Sequence, residues 1–214
     1  MSERGEWLRT GDDGLERCWW PGDDPAYIAY HDDEWGRAQL DDRLLFEKVC
    51  LEGFQSGLSW LTILRKRENF RRAFAGFDID AVARFGDADI ERLMGDAGIV
   101  RHRGKITAAV GNASHALALI AEVGSLAAHF WSFVADDDTR GESAHPSGVP
   151  AVSSASVALS RDLKRRGWRF VGPTTMYSLM QATGMANDHL DGCVAREACE
   201  SERIAALEVL SRAG

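Results

Sequence analysis

The stretch "LMGDAGIVRHRGKI" (Leu93–Ile106) reads as the end of one short helix, a tight hairpin at Gly98, and a second helix led by basic residues. Backbone amides of a hairpin set at a helix N-terminus form a site for a phosphate group. Arg101, Arg103 and Lys105 add positive charge beside it. A plain helix–helix connector produces the same pattern, and both readings stand at this point.

Working outward, the flanking segments keep helical spacing. Upstream, "DIDAVARFG" and "DADIERLMGDAG" are short helices, each led by an aspartate. Downstream, "RGKITAAVGNASHALALIAEVG" carries an apolar stripe through Ile106, Val110, Ala113, Leu117 and Ile120. "DDRLLFEKVCLEGFQSGLS" opens with Asp41 or Asp42 as N-cap. "WLTILRKRENFRRAFAGF" follows as a second helix ending near Gly76. "SLAAHFWSFV", "SASVALSRDLKRRG", "TTMYSLMQATG" and a helix beginning near Asn187 complete the set. Alternating patterns are scarce; "WRFVG" is the best strand candidate and is too short to build a sheet. Ala135–Ser153 is a polar loop with two prolines. The expected fold class is all-α.

A chain of 214 residues supports one sizeable core or two lobes sharing one. With 45% hydrophobic and 27% charged residues, it has the composition of a soluble globular protein. No stretch approaches the roughly 18 uninterrupted apolar residues of a membrane span. The N-terminal residues 1–14 have no apolar signal core and read as a polar tail, so the expected location is cytoplasmic. The net charge of −8 argues against a nucleic-acid partner. Against this stand three basic islands, Leu64–Arg72, Arg101–Lys105 and Arg161–Arg169, although solvated helix faces account for any one of them.

Two half-sites lie near the ends. Cys18 and His31 form C-x12-H, and His189 and Cys193 form H-x3-C. On a helix the second spacing brings imidazole and thiolate to one face. Two sulfurs and two nitrogens in a tetrahedron suit zinc, with no position left open for catalysis. Small buried hydrophobic cysteines are the competing account of Cys18 and Cys193, and Cys199 is a rival ligand. Near His31, the segment "YIAYHDDEWG" (Tyr27–Gly36) gathers Tyr27, Tyr30 and Trp35. With Trp60 they are able to form a cage for a flat or cationic ligand. Glu52 shares an apolar stripe with Leu45 and Val49. A carboxylate there either pairs with Lys48 at i−4 on the helix surface or faces a pocket and reads a ligand.

In these motifs, together with "LEGFQSGLSWLTILRKRENFRRAF", "LKRRGWRFVGPTTMYSLMQATGMANDH" and the final "HLDGC", the sequence resembles the bacterial DNA-3-methyladenine glycosylase I family over about Cys18 to Cys193. The resemblance implies a helix-hairpin-helix DNA glycosylase fold, with one structural zinc per chain joining the N- and C-terminal segments. The family's zinc ligands fall on Cys18, His31, His189 and Cys193. Its base-reading carboxylate falls on Glu52, and its pocket aromatics on Tyr27, Tyr30, Trp35 and Trp60, with Trp20 nearby. Gly57 and Leu58 match the turn that enters the gap left by a flipped nucleotide, and Gly98 matches the anchor on the DNA backbone. The implied activity is monofunctional excision of 3-methyladenine from double-stranded DNA, without lyase activity and with the free base as product. The implied state is a monomer with no membrane partner. The superfamily's catalytic aspartate has no evident equivalent, so Glu52 is expected to recognise the base and complement its charge. The glycosylase domain would span residues 15–195, followed by a C-terminal tail at 196–214. On this reading Tyr27–Gly36 is a metal-held turn, with Asp32 to Glu34 a solvated part of it or a hydrogen-bond partner for His31. A silent DNA-binding relative and a metal hydrolase are the alternatives. The intact Glu52 and aromatic set oppose the first, and the second needs an open coordination position.

Overall fold

A computed structural model describes residues 7–134 and 151–213. Besides a single 3-10 turn at Ala75–Phe77, ten α-helices and one two-stranded hairpin are formed among them. In chain order these are β1 (Leu8–Thr10), β2 (Glu16–Cys18), α1 (Pro25–Asp33), α2 (Asp42–Gln55), α3 (Trp60–Ala73), α4 (Ile79–Ala83), α5 (Asp87–Gly95), α6 (Arg103–Val123), α7 (Leu126–Trp131), α8 (Ser154–Arg165), α9 (Pro173–Ala182) and α10 (Arg196–Ala213). The expected polar loop lies, through residue 150, outside the described residues.

Most helix starts follow side-chain capping. Asp41 rather than Asp42 caps α2, accepting from Leu44 N at 2.9 Å. Ser59 caps α3 and Asp78 caps α4 in the same way. At α6 the cap is His102, whose Nδ1 accepts from Lys105 N at 3.2 Å. The α5–turn–α6 unit is therefore a helical hairpin, as Leu93–Ile106 predicts. Helix α6 is the central element, in contact with α2, α4, α5 and α7. By length and composition it is the one described helix that could cross a membrane. Here it is a core helix, with Ile106, Ala109, Ala113, Ala116 and Leu119 buried. Helix α2 joins the two sides of the core through α3, α6, α7 and α9. Behind its C-terminal half the rings of Phe54, Phe70, Phe74 and Phe77 pack on one another.

Five expectations are corrected. "WRFVG" is not a strand. Asn112 clamps the Arg169 backbone from both sides, accepting from its N–H at 2.9 Å and donating to its carbonyl at 3.0 Å. Phe170 then adopts φ 57°, which strand geometry forbids. The described residues pair as strands only at the N-terminal end, with Leu8 opposite Cys18, so much of the supposed tail is a hairpin. Tyr27–Gly36 is mostly helix: Asp24 caps α1 by accepting from Ala26 N and Tyr27 N, and Pro25 sets its first turn. The helix expected near Asn187 begins instead at Arg196. His189–Cys193 is a turn closed by Cys193 N to Leu190 O at 2.9 Å, with Gly192 at φ 93°. Helix α10, anticipated as a tail of unassigned role, is docked. Its Cys199 and Ala206 are buried, and Glu202 pairs with Arg37 at 2.9 Å.

Candidate functional site

Helix α1 divides its side chains between two places. Tyr27 and Tyr30, three residues apart, face a cavity of about 200 Å³. His31 turns towards the chain ends, where it is fully buried. The cavity is lined by Trp20, Tyr27, Tyr30, Trp35, Glu52, Gln55, Trp60, Ser178 and Gln181. All five expected aromatics and the expected carboxylate therefore meet in one place. Trp20 meets Tyr27 and Trp35 edge to face, at 4.9 Å and 5.0 Å, and Tyr30 lies tilted against Trp60 at 5.3 Å. Gln55, Ser178 and Gln181 were not anticipated. Gln55 follows Glu52 by three residues on α2, a legible signal. Ser178 and Gln181 reach the cavity only because α9 packs on α2. Gln181 is oriented by donating to Asp188 Oδ2 at 2.7 Å.

Glu52 is 5% exposed. Burial pushes its carboxyl up to about 7, opposed by the nearby charge of Lys48. Burial, reinforced by Glu52, also holds the Tyr27 and Tyr30 phenols above their ordinary range, so both stay protonated. The Lys48 ammonium hydrogen-bonds Tyr30 Oη at 3.0 Å and forms no salt bridge with Glu52. Its position excludes the surface i−4 pair considered for Glu52.

Across the α1 wall, Cys18, His31, His189 and Cys193 are all buried, with one ligand atom from each lying within 4.8 Å of the others. This set is able to hold a metal ion. Cys193 Sγ is 3.5 Å from His31 Nε2 and 3.4 Å from His189 Nδ1, and Cys18 Sγ is 3.8 Å from His189 Nδ1. Each imidazole has its other nitrogen engaged. His31 Nδ1 lies 2.7 Å from Asp32 Oδ1, and His189 Nε2 lies 2.9 Å from the Trp35 carbonyl. These bonds fix the tautomers that turn Nε2 of His31 and Nδ1 of His189 inward. Asp32 is held in turn by Arg17, which also grips Asp13. Asp32 is thus the partner of His31, while Glu34 pairs with Arg67 on α3. The two thiols share their protons unequally. A hydrogen bond from Cys18 pulls Cys193 far down, and the same bond pushes Cys18 up. Cys199 does not join the set; its sulfur faces the Trp35 carbonyl at 3.8 Å.

Gly57 and Leu58 form the exposed turn between α2 and α3. Gly57 has φ 82° and Leu58 is 42% exposed. Lys105 is not on the surface. Its ammonium donates to Phe54 O at 2.9 Å and Ser56 O at 2.6 Å, satisfying the carbonyls at the end of α2. This corrects its placement among surface charges. Gly98 N–H donates inward to Asp96 Oδ1 at 2.7 Å, and its carbonyl accepts from Lys66 and Asn69. Arg101 and Arg103 are exposed, Arg103 in an ion pair with Glu91 at 2.8 Å.

The helical hairpin, the aromatic cavity and the buried carboxylate define a helical protein with one acid enclosed among flat rings. The methyladenine glycosylase family model matches residues 20–197. The chain belongs to that family. It is 50% identical over 179 residues to DNA-3-methyladenine glycosylase 1 of Escherichia coli (strain K12), covering 84% of this chain and 96% of the relative. A crystal structure of 3-methyladenine DNA glycosylase I superposes with TM-score 0.81 at 48% identity, over 84% of this chain and 99% of that one. A Tyr-to-Phe variant of such an enzyme, crystallised in complex with 3-methyladenine, gives TM-score 0.79 at 36% identity, over 84% and 97%.

Proposed function

We propose that this chain is a monofunctional DNA glycosylase that flips 3-methyladenine out of alkylated duplex DNA and hydrolyses its bond to the sugar, starting base excision repair. The observation that carries this reading is the aromatic cavity closed by the buried carboxylate of Glu52, in a chain of this family. Methylation at N3 makes the base cationic in DNA. When the glycosidic bond breaks, its electron pair returns to the base, which leaves neutral, and water adds to the sugar carbon and gives up a proton to solvent. The departing base therefore needs little proton transfer. The ring faces of Tyr27, Tyr30, Trp20, Trp35 and Trp60 attract the cation. Glu52 accepts from the polar edge of the base and complements its charge where bond breaking begins. Gln55 and Gln181 offer further hydrogen bonds at the rim.

On the DNA side, Leu58, carried on the Gly57 turn, fills the space of the extruded nucleotide. The hairpin at Gly98, with Arg101 and Arg103, anchors the backbone. Lys105 serves this surface indirectly, by fixing the end of α2 from which the turn projects.

The metal is one structural zinc. With Zn–S near 2.3 Å and Zn–N near 2.05 Å, a tetrahedron has sulfur–nitrogen edges of about 3.6 Å. The three sulfur–nitrogen separations above bracket that value. Four protein ligands leave no open position, so the ion supplies a cross-link and no chemistry. The glycosylase unit, expected over residues 15–195, takes in the β1–β2 hairpin and carries α10 docked upon it; it acts as a cytoplasmic monomer, and sedimentation of the purified protein tests the monomer.

Purified protein should release 3-methyladenine from methylated DNA, and no release at micromolar enzyme would sink the proposal. Glu52→Gln should keep its fold and metal while losing most excision. Undiminished release by that variant would remove Glu52 from its role.

A further inference from the structure

Lys48 lies four residues before Glu52 on α2, a spacing that ordinarily gives a weak surface ion pair. The fold uses it differently. The ammonium donates to Tyr30 Oη at 3.0 Å and sits 4.7 Å and 4.3 Å from the ring centroids of Tyr30 and Trp60. Both rings line the base cavity, so the cation stands directly behind the wall that meets the ligand. Beyond it lies a second cavity of about 270 Å³, whose charged residues include Glu34, Glu47, Arg67 and Arg71. Those charges are already matched, Glu34 with Arg67 and Glu47 with Arg71. Glu52 is the neighbouring carboxylate that has no hydrogen bond or ion pair of its own among the described residues.

We propose that Lys48 is a positioning residue for base recognition: it is the internal counter-cation of Glu52, keeping that carboxylate ionised inside the aromatic pocket so that the site presents negative charge to a cationic methylated base. This rests on the base-excision reading of the cavity. The physical balance is simple. Burial favours the neutral acid, and a nearby cation favours the carboxylate. Of the other groups that line the cavity with Glu52, Tyr27 and Tyr30 are the titratable ones, and none carries positive charge. On the far side, Lys48 also senses Glu34 and Glu47, with Arg67 opposing them, and each of these carboxylates has an arginine partner of its own. Lys48 therefore supplies the main opposition to burial, and its own burial lowers its hold on its proton, to about 8. The two ring faces and the Tyr30 hydroxyl stand in for the lost water.

The sign follows directly. Removing the cation raises the pKa of Glu52, so at a fixed pH well below it the ionised fraction falls about tenfold for every unit that the pKa rises. The test is Lys48→Met, close in shape and uncharged, with Lys48→Gln as a second variant. The Glu52 carboxyl carbon is titrated by NMR in the full-length protein, and kcat/KM for 3-methyladenine release is followed against pH. In the variants the Glu52 titration and the acid limb of the rate should both move up by about one pH unit or more. Melting temperature and metal content should stay close to those of the parent. A Glu52 titration unmoved in both variants overturns the role of Lys48. Parent protein that releases no methylated base overturns the excision reading instead, and the NMR titration still decides whether Lys48 controls Glu52.

Discussion

Gly36 has room for a hydrogen and nothing larger. It holds φ 84°, and a Cβ there would stand 2.9 Å from His189 Nε2 and 3.2 Å from Cys199 Sγ. Gly36→Ala should therefore cost about 1–3 kcal/mol in denaturant unfolding and lower bound metal, because the shifted imidazole is a candidate ligand. Full metal content and unchanged stability would show that the turn relaxes more easily than its contacts suggest. Single residues were legible where chemistry and pattern conflicted. A carboxylate on the Leu45–Val49 stripe announced Glu52, and cysteines paired with histidines announced the metal set. Asp32 was legible only as one of three neighbouring acids that could hold His31, and Arg17 and Gln181 were not legible in this way. Their side chains are ordinary polar residues in sequence, and only the approach of distant segments gives them partners.

The element with most to do is the turn from α2 into α3. Its backbone is pinned by Lys105 on one side and by the Ser59 cap on the other, while the Leu58 side chain stands free at the tip. Leu58→Ala should change stability by less than about 0.5 kcal/mol, yet weaken excision from duplex DNA much more than binding of the free base. Equal loss in both assays would argue against a role for the leucine in the duplex. The β-hairpin and α1 meet at Arg17–Asp32–His31, so Asp32→Asn should lower metal affinity by about 10–100-fold, read by competition with a chromogenic chelator. Most helices were readable because each has its own cap and stripe. "WRFVG" and the Asn187 region were not, because both are shaped by side chains of other elements: Asn112 on α6 sets one, and the approach of Cys18 and His31 sets the other.

At the scale of the molecule, the four buried ligand atoms tie residues 18 and 31 to residues 189 and 193. If this is a closed structural site, removing the metal acts on the fold before it acts on the pocket. Chelation should then lower the melting temperature, with activity decaying at the rate of unfolding; an immediate loss from still-folded protein would contradict the structural role. The coupling has a route, since the Trp35 carbonyl holds His189 while the Trp35 ring lines the cavity. That cavity has an optical consequence. The chain has seven tryptophans, and three of them, Trp20, Trp35 and Trp60, surround the same small volume. A flat base entering it would lie against a cluster of indoles, while Trp7, Trp19, Trp131 and Trp168 emit from elsewhere as a constant background. The protein thus carries its own fluorescent gauge of occupancy, and free 3-methyladenine should quench a fixed share of its ultraviolet emission as the pocket fills.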